Sequence, residues 1–405
     1  MITLRVAWRN LWRNRGRTGI TLAAMSLSTA VMILTYALML GMITDMEKSV
    51  VEVFTGQVQV HNPAYASEHS LYDTISRPQA ILDKARSSGI AASVRAFGFG
   101  LVSSGPNSAG VQFWGVNPQA ERSFGKLDEA LLEGGFLPDA PGMRVVLGRK
   151  LARTLGAKVG TELVVVVQAA DGSLGNDLLH VCGILKGVGE NLDRSLALIH
   201  EQDFAALFVF PGRYHEIALN SHGRMTPEEV ASFIKGAAGT DEVKTWRQLM
   251  PGVSDMLNSF DGFSLIFEVV FFLIAGLGVM NTLLMSTYER IPEFGLLKAI
   301  GTTPWRILRE VSAEALILGI FSSSLGGVLG ACAAWYLSRN PIDLSGFAEG
   351  FSTSGVMMSA QWGAQLTIAG IVWPIVFMWL VSVVAALYPA AKAARLDPVR
   401  ALTHV

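Results

Sequence analysis

Charge is what this chain has least of. Only 16% of its 405 residues are Asp, Glu, Lys or Arg, against about 25% in ordinary soluble domains. The deficit is local. Residues 19–43, 265–287, 315–337 and 366–387 are almost free of charge, Glu268 being the main exception. Each stretch is near the roughly 20 residues needed to cross a bilayer core. A soluble reading would have to bury four such helices in one domain. Cysteine is nearly missing as well. Cys332 falls in an apolar stretch and Cys182 in a polar one, which excludes a disulfide framework.

The chemical signatures are missing too. Gly148 and Gly156 lie in GRKLARTLG, but no GK[ST] follows, so there is no Walker A phosphate loop. No GxGxxG follows a strand and no HExxH is present. Neither cysteine has a metal-ligand neighbour at useful spacing, and His61, His69, His180, His200, His215 and His222 are scattered. We expect no catalytic residues, no bound metal and no bound cofactor. The apolar stretches hold no Asp, Lys or Arg near their middles, as ion-driven porters usually require. Glu268 and Glu314 sit at stretch ends, where interface placement accounts for them. The net charge of −1 gives no reason to expect a nucleic-acid partner.

The charge that is present is distributed unevenly. Arg5, Arg9, Arg13, Arg15 and Arg17 precede the first stretch. Arg290, Lys298, Arg306 and Arg309 follow the second, and Lys392, Arg395 and Arg400 follow the fourth. The connection after the third holds only Arg339, with Asp343 and Glu349. The positive-inside rule then puts both termini and the 288–310 loop in the cytoplasm, and 44–263 and 338–365 outside. The first stretch reads as an uncleaved anchor. Within residues 1–17, Trp8 and Trp12 share an apolar face, while Arg5, Arg9 and Arg13 recur every four residues. That pattern predicts a helix lying in the membrane interface.

Between the first and second stretches lie some 200 residues of α+β character. Gln57–Val60 alternates as a strand after Gly56, and 78–88 reads as a helix. Strands are expected at 91–102, 111–116, 144–147, 162–168, 179–185 and 195–199, with a helix at 149–155. Thr226-Pro227-Glu228-Glu229 is a helix start. The 288–308 connection is too structured for a turn. Polar residues alternate with Ile291, Phe294, Leu296, Leu297, Ile300 and Leu308, predicting a short amphipathic helix broken at Gly301-Thr302-Thr303-Pro304. Gly326 and Gly330 form a GxxxG pair that permits close helix packing, within the chain or across a dimer. Pro389 is expected to end the last helix.

ERIPEFGLLKAIGTTPWRI at 289–307, YPAAKAARLDPVRAL at 388–402 and VVLGRKLARTLGAKVGTELVVVV at 145–167 together resemble the permease subunits of the FtsX, MacB and LolC/LolE type. The likeness covers essentially the whole length. It implies a fold of four transmembrane helices with a large α+β extracytoplasmic domain between helices 1 and 2, the type VII ABC or mechanotransmission fold. The implied segments are an interfacial helix at 1–17, spans at 18–43, 264–287, 313–337 and 366–388, and a periplasmic domain at 44–263. Within that domain, 50–119 plus 209–260 would form an α/β porter-like subdomain and 120–208 an inserted β-rich one. The 288–310 loop, the 338–365 loop and the 389–405 tail complete the chain.

The resemblance also implies a coupling helix docked on a separate cytoplasmic ABC ATPase through Glu289, Arg290, Glu293, Gly295, Leu297, Lys298, Ala299 and Gly301. Phe294 would be its apolar anchor in the ATPase cleft, and Gly295 and Gly301 would allow close backbone approach. ATP and Mg2+ would be bound by that partner, a dimer facing two permease subunits, the same or homologous. Length, span order and GQVQVHNP at 56–63 are most similar to the lipoprotein-releasing members of the bacterial inner membrane, with a periplasmic carrier or lipoprotein as a further partner. MacB-like export of peptide, toxin or small molecule, FtsX-like control of cell-wall enzymes, and a membrane sensor are the alternatives.

Overall fold

A computed structural model describes residues 15–65, 69–186, 190–343, 352–353, 356–357 and 361–395. Arg5, Trp8, Arg9, Trp12 and Arg13 of the expected interfacial helix lie outside these residues, as does the tail beyond Arg395. The chain forms two compact units. One comprises Thr44–Met256 with 346–360; the other holds the remainder.

The first helix, α1 (Arg15–Val50), outlasts its apolar stretch. Met46 and Val50 keep a buried face beyond it. The helix closes in one π-type turn, Val51–Thr55, in which the Gly56 amide donates to the Val51 carbonyl at 3.0 Å. Gly56 has φ of 68°, and a Cβ there would meet the Leu219 carbonyl at 2.7 Å. Only glycine fits that exit.

The inserted domain follows as β1 (Val58–His61), α2 (Pro78–Ser87), β2 (Ala91–Ser104), β3 (Asn107–Val116), α3 (Pro118–Phe124), β4 (Leu131–Gly134), β5 (Arg144–Leu147) and α4 (Arg149–Leu155). It continues through β6 (Glu162–Gln168), β7 (Leu174–Leu185), α5 (Glu190–Ser195), β8 (Leu196–His200), α6 (Glu201–Leu207), β9 (Glu216–Asn220), α7 (Pro227–Ala238), β10 (Glu242–Thr245) and α8 (Trp246–Leu249). The ten strands make one sheet in the order β10-β1-β9-β2-β3-β8-β5-β7-β4, with β6 bridging β2 and β7. Strand pairing therefore runs across the 119/120 and 208/209 boundaries drawn from the sequence, through parallel β3–β8 and antiparallel β2–β6. Three cores serve the sheet, one of them formed by Phe97, Trp114, Val146, Leu185 and Leu198. Ile81 and Ala85 of α2 and Val230 and Ile234 of α7 cover Val58, Val60, Ile217 and Leu219. Leu163, Val165 and Val167 pack with Val102, Phe113, Leu151 and Phe208. Thr226 and Glu229 form the reciprocal capping box expected at the start of α7.

A buried ionic cluster joins β2, β9 and α3. The Arg95 guanidinium, fully buried, donates from Nε to Glu121 at 2.7 Å and from Nη1 to Glu216 at 2.8 Å. Ser93 also donates to Glu121 at 2.8 Å. One cation faces two carboxylates. Glu121 takes two of the guanidinium bonds, and Glu216 takes one.

The remaining helices are α9 (Pro251–Glu289), α10 (Ile291–Ala299), α11 (Pro304–Arg339) and α12 (Ile368–Ala394). With α1, the helices α9, α11 and α12 are the four among the described residues that are long and apolar enough to cross a membrane. Helix α9 starts at Pro251, ahead of the span expected at 264–287, and runs through Gly262. Helix α12 does not end at Pro389 but runs on to Ala394. A mid-helix proline removes one N–H and bends the axis, yet the small Ala390 and Ala393 beyond it are fully buried and hold the last turns in place.

Small residues bring these helices together. A Cβ on Gly326 would lie 2.4 Å from the Ser26 carbonyl oxygen, and one on Gly330 2.8 Å from that of Ala30, so α11 meets α1 of the same chain backbone to backbone. Gly319 and Gly327 admit Ser382 and Ile375 of α12 in the same way. Two polar contacts add direction: Thr21 with Thr282 at 2.6 Å, and Trp379 Nε1 donating to Ser323 Oγ at 2.8 Å.

The ionic cluster yields a pH prediction. Burial pushes Glu216 up from 4.5 to about 7, the Arg95 guanidinium opposing the rise and the Glu121 charge adding to it. Between those values the folded domain holds a proton that the unfolded chain has released, so stability is gained as pH falls through about 7 and lost as it rises. His61 and His215, which burial pushes down to about 4, act in the opposite direction, so the Glu216 contribution is read against the Glu216→Gln variant. Wild type should gain thermal midpoint relative to Glu216→Gln as pH falls from about 8 to about 6. A difference between the two proteins that stays constant over this window would contradict the assignment.

Candidate functional site

The segment joining α9 to α11 is a folded platform. Helix α10 carries Pro292 in its first turn, where the missing N–H costs nothing, and Glu293 beside it, at the positive end of the helix dipole. Its inner face is Ile291, Phe294 and Gly295. Phe294 is 0% exposed and sits among Ile307 and Val311 of α11 and Ala390 and Ala393 of α12. Leu297 and Leu308 close the edges of that seat.

Arg290 locks the platform to α11. Its Nη1 donates to Glu314 at 2.7 Å and its Nε to Glu293 at 3.1 Å, while Nη2 lies 3.8 Å from Glu310. The guanidinium also lies 4.9 Å from the centre of the Phe294 ring. Burial by itself would lower the Arg290 value, but Glu314 and Glu293 outweigh it and hold the cation above its ordinary range. On the other side, Lys298 Nζ donates to the Ala394 carbonyl at 2.8 Å, a cation on the C-terminal end of α12. Lys392 pairs with the Tyr288 hydroxyl.

The end of α10 is a Schellman motif. The Thr302 amide donates to the Leu297 carbonyl at 2.9 Å and the Gly301 amide to that of Lys298 at 3.0 Å. Gly301 takes φ of 95°, the left-handed region this motif demands. A Cβ there would touch nothing within 4 Å. Its glycine is thus required by the backbone angle and not by close approach of another chain segment.

The site residues expected from the sequence divide into two groups. Arg290, Phe294, Gly295, Leu297 and Lys298 build the platform from within. Glu289, Glu293, Ala299 and Gly301 are exposed. The expectation that Phe294 projects as an anchor is corrected: its ring is buried in the chain's own helices. The seat it fills contains Ala390 and Ala393, which exist as helix only because α12 continues past Pro389. The apolar residues that do project are Leu296 at 57% exposure, Ile300 at 73% and Trp305 at 68%. Leu296 and Ile300 are four apart, as Ile291 and Gly295 are. Both faces of α10 are apolar, so the pattern alone does not say which is outward. The GxxxG pair, Gly326 and Gly330, contacts α1 of the same chain.

A second exposed apolar surface lies on the inserted domain. Phe99 and Leu101 of β2, Val164 and Val166 of β6, and Leu174 and Leu178 of β7 stand on one face of a three-strand ribbon, each at least 40% exposed. Leu101 pairs with Val166 and Val164 with Leu178. Contiguous apolar exposure of this kind marks an interaction surface.

Among the described residues, four apolar helices carry a large α+β domain between the first and second and a folded loop between the second and third. The chain belongs to the FtsX/MacB family of ABC transporter permeases. The MacB-like periplasmic core domain model matches residues 18–237 and the FtsX-like permease C-terminal model residues 265–398. It is similar to an uncharacterized ABC transporter permease of Methanocaldococcus jannaschii, 28% identical over 67% of this chain and 64% of that one. The lipoprotein-releasing system transmembrane protein LolC of Neisseria meningitidis serogroup B is 21% identical over 73% of each chain. A macrolide export ATP-binding/permease protein MacB of Vibrio parahaemolyticus is 33% identical over 34% of this chain and 18% of that protein. The chain thus spans just under two thirds of the first relative and less than a fifth of the last.

One consequence is measurable on the chain alone. Arg290→Met leaves Glu314 and Glu310 facing each other without their cation and should cost about 3–5 kcal/mol, read as a large drop in thermal midpoint. Adding Glu314→Leu should restore most of it. Failure of the double variant to recover would mean that the ion pairs do not hold the platform.

Proposed function

We propose that this chain is a permease subunit that carries ATP-driven motion of a separate cytoplasmic ABC ATPase through its helices to the inserted domain. The observation that carries the reading is the combination at α10: an apolar tip formed by Leu296, Ile300 and Trp305, mounted on a base locked into α11 by Arg290 and into α11 and α12 by Phe294. A push on the tip displaces both helices, because base and helices are packed without slack. Glu293 and Arg306 at the rim would fix register more than affinity. ATP and Mg2+ would be bound by the ATPase and not by this chain. Two permease subunits, identical or homologous, would face its two halves in a type VII arrangement in a bacterial inner membrane.

The cargo we favour is a lipoprotein released from the membrane, with the β2–β6–β7 face receiving it or a periplasmic carrier. The LolC match, even over most of both chains, supports this. MacB-like export of a peptide, toxin or small molecule is the second reading, supported by the higher identity of the MacB match over a third of the chain.

Two experiments test the proposal. Full-length chain carrying Leu296→Asp with Ile300→Asp should stay folded but recover at least about tenfold less ABC ATPase from membranes, as expected for loss of an apolar hot spot. MgATP turnover of the recovered complex should fall in step. Wild-type recovery by the double variant would overturn the docking role of the tip. For orientation, single cysteines at Ser173 and Thr303 should label from opposite sides of intact cells, Thr303→Cys only from the cytoplasm. Outside labelling of Thr303→Cys would reverse the proposed topology.

A further inference from the structure

Glu268 is a carboxylate in an apolar helix with no partner. It lies about 21 residues before Glu289 on α9, roughly 31 Å along the axis and so near the membrane boundary opposite the coupling loop. Interface placement does not fully account for it. The carboxylate lines a cavity of about 260 Å³ between α1, α9 and α12, walled by Tyr36, Trp373, Pro374 and Phe377. No hydrogen bond or ion pair reaches it among the described residues. The carboxylate is half-buried, and a bound cation would complete its pairing there.

Two features make the cavity a seat for that cation. Gly370 lets the Tyr36 ring lie against the α12 backbone, where a Cβ would come within 2.7 Å of it. Pro374, also in the wall, has no N–H to give the Gly370 carbonyl one turn earlier in the helix. A carboxylate and three aromatic rings match the needs of an ammonium group, which donates to carboxylates and favours aromatic faces. The lining holds no Lys or Arg that would receive a phosphate. Below it, sharing Phe377, an apolar groove of about 350 Å³ runs between α9 and α12, deepened at Gly276. The head is anionic and aromatic; the groove is hydrocarbon.

We infer that this is a binding site for a cationic amphiphile: a protonated amine at Glu268 with its hydrocarbon tail in the α9–α12 groove. The inference does not depend on the ATPase reading above. The test uses the full chain in phosphatidylcholine nanodiscs with a photoreactive octadecylamine and the matching octadecanol, located by mass spectrometry. The amine should label the lining segments of α9 and α12 about tenfold more than the alcohol, the size of effect of a desolvated ion pair with aromatic contacts. Glu268→Gln should remove that excess while leaving alcohol labelling of the groove unchanged, which also reports that the helices are intact. Trp373→Leu should reduce the excess in part. Equal labelling of wild type by amine and alcohol overturns the site, as does an excess that survives Glu268→Gln. Competition by phosphatidylethanolamine as strong as by unlabelled octadecylamine overturns it in favour of a zwitterionic lipid.

Discussion

The membrane unit depends on the close approach of backbones to α11. Between helices in lipid the hydrophobic effect supplies little attraction, because the alternative surroundings are equally apolar. What remains is van der Waals contact and a few hydrogen bonds, and both need short distances. Helix α11 obtains them with Gly326 and Gly330 toward α1, and with Gly319 and Gly327 toward α12. It is also the most buried of the four apolar helices. Larger side chains at these positions would hold the helices apart, and the contacts of Thr21 with Thr282 and of Trp379 with Ser323 would be stretched with them.

The same helix receives the loop. Glu314 and Glu310 take the Arg290 guanidinium, and Ile307 and Val311 take Phe294. A buried ion pair adds little net stability when compared with apolar packing, but it tolerates very few geometries. That is the property a transmission element needs. The inserted domain uses the device a second time at Arg95, where one guanidinium fixes α3 to two strands. There the surplus carboxylate makes the lock sensitive to pH.

Family membership sets the class of work; the exposed surfaces divide it. The α10 tip and the β2–β6–β7 ribbon are both apolar surfaces without a covering element among the described residues, and they lie in different units. The α10 tip is small, and its surroundings carry charge of both signs. The ribbon is wider and almost uniformly aliphatic. Such a surface selects by shape and apolarity rather than by a charge pattern.

Much of this was legible in the residues. The four apolar helices follow from runs of about 20 residues without charge, since no other folded use of such runs is common. Most strand positions, the α7 capping box and the break at Gly301 follow from local chemistry that acts over a few residues. The tertiary structure decided what local chemistry leaves balanced. In β6 four consecutive valines show no alternation, and only the sheet determines that Val165 faces the core while Val164 and Val166 face out. In α10 both faces are apolar, so burial of Phe294 rather than Leu296 was settled by the alanine seat on α12. That seat in turn required a helix to continue through Pro389, where the local penalty of proline was outweighed by long-range packing. Glu268 looked from its position like an interface residue, and only the meeting of three helices shows the cavity it lines. The sequence by itself determined what each segment is; which of two equivalent faces is buried depended on contacts between residues far apart in the chain.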